Sequence, residues 1–329
     1  MQIDQILRRL TWRVRRRFRR AADNDPIVTI EQPPPAPFLS RPRLPGKRPG
    51  RIVRTASAFL ATLVVLTVAY GLVVAVNSRA RLDIGADPDV AVGASYAVAA
   101  AAALLAPEAQ GSTLDVPFVP NGRVLREGRL RDGAADVAAH FVALAGPAHG
   151  RTDPALADAR AALPVGSLSS AAQRIAARDA LIRLNTRIAH GQAQLDNGRT
   201  ALAALVRAAA DSCERQSAAL AALAAKPSLL APPATDAQMH EARGVAYGWL
   251  LIVRAALKDA PDLAQGTAVE ATIPLDALAR AVAREPLVLF NGGKASPWAP
   301  AHVADAAADF ARAAAGARAL ADAVAQGRP

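Results

Sequence analysis

The stretch QMHEARGVAYGWLLIVRAAL (238–257) places a carboxylate where a helix calls for an apolar side chain. At 100° per residue, Val245, Gly248, Trp249, Ile252 and Ala256 form one face, with Glu241 at its N-terminal end. His240, Arg243, Arg254 and Lys258 form the opposite face. A carboxylate among apolar neighbours either finds a cation or keeps its proton. The first outcome is a structural ion pair and the second a general acid. Arg243 lies roughly 160° away around the helix. The partner of a buried Glu241 is therefore expected from another segment, with Arg280 and Arg284 as candidates.

Other reactive residue types are sparse. Cys213 is the single cysteine, so the chain forms no intramolecular disulfide. The histidines, His140, His149, His190, His240 and His302, make no HExxH motif and no pair at i, i+4. His302, Asp305 and Asp309 could share a helix face and hold a metal, but charges in a helix's first turns are ordinarily caps and solvated groups. NGGKAS (291–296) has the residue types of a phosphate loop without its glycine spacing. These residues point to no catalytic, cofactor-binding or metal-ligating constellation. The balance reads against an enzyme, although missing motifs do not exclude one.

The elements that would position these residues read as helices. Residues 78–329 are rich in Ala, Leu and Arg, poor in aromatics, and punctuated by Pro and Gly. Helices are expected near 88–106, 128–145, 154–162, 169–190, 192–225, 236–259, 274–284 and 298–326. PLVLFNGG (286–293) reads as a short extended piece ending in a turn at Asn291-Gly292. Leu202, Val206, Ala209, Cys213, Gln216, Leu220 and Leu223 are spaced 4-3-4-3-4-3, a heptad seam. Ala177, Leu181, Leu184 and Ile188 offer a matching 4-3-4 seam just before it. The expectation is an antiparallel helical hairpin within an all-α bundle, with a homodimeric coiled coil as the alternative. Cys213 then sits in a core seam as a small hydrophobe.

The formal charge of +11 is confined to one end. Residues 1–54 hold 14 basic and 4 acidic side chains, against 25 and 24 in the rest. Behind this arm, Ala56–Val76 is a 21-residue run without a charge, long enough as a helix to cross the roughly 30 Å bilayer core. Its length and its distance from the N-terminus read as an uncleaved anchor over 55–77 rather than a signal peptide. Arg41, Arg43, Lys47, Arg48, Arg51 and Arg54 precede it, and only Arg79 and Arg81 follow closely. The positive-inside rule then puts the N-terminus in the cytoplasm. In a bacterium with two membranes, residues 78–329 fall in the periplasm, and the Ala- and Arg-rich composition suits a bacterial source. In the first helix-like stretch (1–25), Ile3, Ile6, Leu7, Leu10, Val14 and Phe18 share an arc of about 120°. Arg8, Arg9, Arg13, Arg15, Arg16, Arg17, Arg19 and Arg20 lie mostly outside it. Apolar face plus cations suit a membrane-surface helix on anionic lipid, ahead of a bare topology signal or a nucleic-acid or protein contact. Residues 26–54, with eight prolines, read as an extended linker.

HEARG followed by aromatic and aliphatic residues, then REPLVLFNGG, then a long terminal helix, resembles a bacterial inner-membrane family, domain of unknown function 2333. The resemblance covers roughly residues 85–329, and the order of parts matches too, with one N-terminal anchor ahead of the helical domain. It departs at VPFVPNGRVLREGRL (116–130), which lacks that family's Pro-Pro-Gly loop and downstream Trp. It implies that Glu241, Arg243, Gly244, Asn291 and Gly292 are family-motif positions of structural character, and it names no reaction. The expected protein is a single-pass inner-membrane scaffold or adaptor with a periplasmic helical domain. Its expected partners are the membrane and other envelope proteins, with no nucleic acid. A periplasmic enzyme acting on cell-wall or lipid material through Glu241, or an envelope sensor or assembly factor, is the alternative.

Overall fold

A computed structural model describes residues 59–70, 82, 85, 88–106, 122–148, 150, 152–226, 228, 232–285, 289–291 and 301–327. The chain divides into two units, 1–60 and 61–329. The basic arm 1–25 and the linker 26–54 lie outside the described residues, as do both ends of the 55–77 segment. Residues 59–70 form a helix whose apolar side chains are exposed. Among the described residues, no helix is long and apolar enough to cross a membrane.

The second unit is all-α; no strand occurs among its described residues, only isolated bridges. Its helices are α1 (Tyr96–Leu104), α2 (Gly122–Leu144), α3 (Pro154–Ala162), α4 (Ala171–Ala189), α5 (Arg199–Ala224), α6 (Pro233–Asp259), α7 (Pro261–Gly266), α8 (Ala268–Ala283) and α9 (His302–Gln326). Local chemistry sets most boundaries. Asp153 caps α3 by accepting from Ala155 N at 2.8 Å, with Pro154 in the first turn. Ser170 and Gln173 close a capping box on α4. α9 stops where Gly327 takes a left-handed φ of 62°.

α6 is the centre. Of its 27 residues 17 are buried, among them Trp249, Leu250 and Ile252 at 0 % exposure, and it packs on α1, α2, α5, α7 and α8. Against α2 the backbones nearly touch. A Cβ on Gly244 would lie 1.8 Å from the Leu130 carbonyl oxygen, and one on Gly133 would lie 2.2 Å from that of Glu241. Glycines are what permit this crossing.

The heptad seam on α5 is buried at Leu202, Val206, Ala209, Cys213 and Leu220, while Leu223 is half-buried. Its main partner corrects the expected hairpin. α5 runs antiparallel to α9, the last helix, and α4 instead packs on α3 and α1. Ser217 donates to the Ala307 carbonyl, Arg318 pairs with Glu214, and Arg207 pairs with Asp322 at 3.5 Å. Two features explain the choice. The link before α5 is pinned elsewhere: Asp196 N donates to Gly146 O and Ala148 N to Gln194 O. And α9 presents Ala306, Ala313, Ala317 and Ala321 with Phe310 and Leu320, a long stripe of small side chains that admits close approach.

Further boundaries differ from expectation: α2 begins at Gly122, earlier than 128, and α9 at His302, later than 298. α1 begins at Tyr96 because Ser95 supplies the cap, not at Pro88. α5 begins after Gly198, later than 192. α8 begins at Ala268 and carries Pro274 inside it. Pro274 offers no N–H to the carbonyl of Glu270, but the ring is buried and Gly316 of α9 leaves room for it.

Candidate functional site

Asp236, His240 and Arg243 fall at i, i+4 and i+7 on α6, a single helix face. Arg126 of α2 grips Asp236 with both prongs, Nε to Oδ2 at 3.0 Å and Nη2 to Oδ1 at 3.1 Å. Asp236 Oδ1 lies 3.7 Å from His240 Nε2. Arg243 donates through Nη1 to His240 Nδ1 at 3.4 Å and through Nε to the Val282 carbonyl at 3.1 Å. Its Nη2 is 3.4 Å from Glu285 Oε2. The chain Arg126–Asp236–His240–Arg243–Glu285 thus runs from α2, along α6, to the segment just after α8.

A guanidinium has only donors, so His240 Nδ1 accepts and its proton sits on Nε2, facing Asp236. Burial is the main force on this ring. Asp236 pulls the other way and Arg243 and Arg126 add to burial, so the imidazole pKa is pushed down to about 4. His240 is therefore a neutral bridge between a cation and an anion, buried at 6 % exposure. Chemically the arrangement ties three segments together.

Glu241 is half-buried, and burial raises its carboxyl above the usual range. Arg129 opposes that shift, while Asp132 and Asp136 add to it. The expected partners are elsewhere. Arg284 and Arg280 both reach Asp309 of α9, Arg280 Nε at 3.6 Å from Oδ1. The ion pair between α6 and the 280s exists with its polarity reversed, Arg243 being the cation and Glu285 the carboxylate. The cause is that α6 is enclosed. The face opposite the apolar one packs on α8, and Arg243 is only 2 % exposed.

Asp309 is a second hub. It is fully buried, and hydrogen bonds from Arg284 and Arg312 outweigh the effect of burial and hold its carboxyl below the usual range. It is thereby committed to arginines. His302 uses Nδ1 to accept from Phe290 N at 3.2 Å. Among the described residues no His, Cys, Asp or Glu group is placed to hold a metal. The signal for Asp309 was present in the sequence: a carboxylate beside Ala306, Phe310 and Ala313 on one stripe, the pattern that singled out Glu241.

Asn291 is 2 % exposed and donates through Nδ2 to the carbonyls of Leu223 and Lys226, closing the end of α5. Its backbone bridges Ser228 and Ala301. Gly244 occupies the close crossing with α2. Gly292 and the eight arginines of the arm lie outside the described residues. Cys213 is buried in the α5 seam, and burial pushes its thiol up to about 12.

Fold and site together define a class: an all-α bundle whose central helix is bound to its neighbours by partly buried ion pairs. No protein-family model, no curated protein and no solved structure matches the chain.

Proposed function

We propose that this chain is a single-pass bacterial inner-membrane protein presenting its helical bundle in the periplasm as an envelope scaffold or adaptor. The observation that carries the reading is the uncharged run Ala56–Val76 with its one-sided basic flank. It is supported by the helix at 59–70, where Phe59 is 73 % and Val65 65 % exposed, surface that favours hydrocarbon over water. The resemblance to domain of unknown function 2333 supports the same address. The arginines from Arg8 to Arg20 then lie against anionic lipid of the inner leaflet. The scaffold role is supported by the use made of the polar residues of α6, which join helices to one another.

Reporter fusions test the topology. A reporter active only in the periplasm should work when fused after residue 329 and stay silent when fused at residue 45; the reverse pattern refutes the orientation. The enzyme reading rests on the raised pKa of Glu241. If Glu241 is a working acid, Glu241→Gln leaves the melting temperature unchanged and abolishes the cellular phenotype. In a scaffold, the phenotype follows stability.

A further inference from the structure

At one end of the bundle a cleft of about 360 Å³ lies between the start of α1, the ends of α2 and α6, and the start of α5. Its floor is apolar: Ala97, Phe141, Leu202 and Leu205 are buried side chains that line it. Leu144, 44 % exposed, stands among the lining residues as an apolar side chain still in contact with water. The volume falls in the range of small-molecule sites and holds about a dozen water-sized, hence methylene-sized, groups.

The lining also carries the polar groups that choose a head group. Lys258, Asp196 and Asp259 line the cleft, one cation against two carboxylates. Asp259 is engaged, accepting from Ser95 Oγ at 2.7 Å, Tyr96 N at 2.8 Å and Ala97 N at 2.9 Å. Lys258 Nζ lies 5.6 Å from the centre of the Tyr96 ring. With a net negative lining, an anionic head is disfavoured. The exposed amide of Gln194 is suited to hydrogen-bond an uncharged one. We infer that this cleft binds a single-chain amphiphile with an apolar tail of about ten carbons and an uncharged, hydrogen-bonding head.

The test uses the full chain in lipid nanodiscs and a diazirine-bearing decanol, with label mapped by peptide mass spectrometry. Label should appear saturably on the peptides of Phe141 and Leu202–Leu205. Excess decanol should compete it away, and decanoate should compete at least tenfold less well. Ala201→Phe, which fills the cleft, should lower labelling there at least fivefold while label elsewhere on the chain stays constant. If Ala201→Phe fails to fold, Leu144→Asp puts a charge into the cleft's lining and should give the same loss. Absent or non-saturable label at these peptides overturns the site. Equal competition by decanoate overturns the uncharged head.

Discussion

His240 is held neutral between Asp236 and Arg243, and this gives the protein a definite acid sensitivity. The unfolded chain takes up a proton near pH 6.5, which the folded ring refuses until about pH 4. Protons therefore bind the unfolded state preferentially in that window, and stability falls as pH drops through it, by on the order of 3 kcal/mol in full. Urea denaturation at pH 7, 6, 5 and 4.5 should show this slope, and His240→Gln should flatten it. Asp309, whose pKa is depressed, contributes its loss only at lower pH, as the carboxyl is protonated. A profile unchanged in His240→Gln would mean that the ring is solvated. At this scale the sequence identified the helix and the two segments that exchange charge, 238–257 and the 280s. It could not say which residue carried which sign, because a wheel drawn for one helix treats the side away from its apolar face as water. Here α8 covers that side and encloses Arg243.

Helix pairing depends on where backbones can approach. A methyl group at Gly244 would meet the Leu130 carbonyl, a backbone atom that cannot swing aside. Gly128, on α2, has nothing within 4 Å of the same position. Helix propensity alone favours alanine over glycine at both sites by up to about 1 kcal/mol. The two substitutions should therefore differ in sign: Gly128→Ala raises the melting temperature and Gly244→Ala lowers it, with a loss of about 1–3 kcal/mol, as for overpacked cores. Thermal unfolding followed by circular dichroism reads both, and equal shifts would dispose of the close crossing. The α5 seam shows how far periodicity reaches. Its spacing revealed which residues are buried, from Leu202 to Leu220, but not against what. Sequence neighbours pair because short links cost little entropy, and that favoured α4. The link to α4 is instead fastened to the loop after α2, and the alanine stripe of α9, a hundred residues on, fits better.

Over the whole molecule the two ends of the folded domain depend on distant segments. α9 closes the α5 seam that buries Cys213 and supplies Asp309 to Arg284. Deleting residues 302–329 should therefore uncover the thiol, whose pKa would return from about 12 towards its ordinary value. In the intact protein the thiol should react with a maleimide only on unfolding. In the truncated chain it should react at least tenfold faster under native conditions. Equal rates would show that α5 is shielded without α9. The all-helical class was the most legible part of the sequence at this scale, since an Ala- and Leu-rich composition punctuated by Pro and Gly needs no tertiary information. The cleft was the least legible, since residues from five segments line it and no spacing in the chain brings them together.

The carboxylate of Asp259, seated on the first turn of α1, has a consequence for biogenesis. The chain is made from its N-terminus, yet the Tyr96 and Ala97 N–H groups of α1, already capped by Ser95, meet Asp259 only after about another 160 residues have emerged, and α5 waits for α9. At roughly 5–20 residues per second, that interval is on the order of ten seconds or more. From the completion of α5 until α9 emerges, the α5 face carrying Val206 and Leu220 lacks its main partner, although α2 and α6, both made before α9, pack on the same helix. The nascent domain therefore keeps part of its core uncovered until α9 is made.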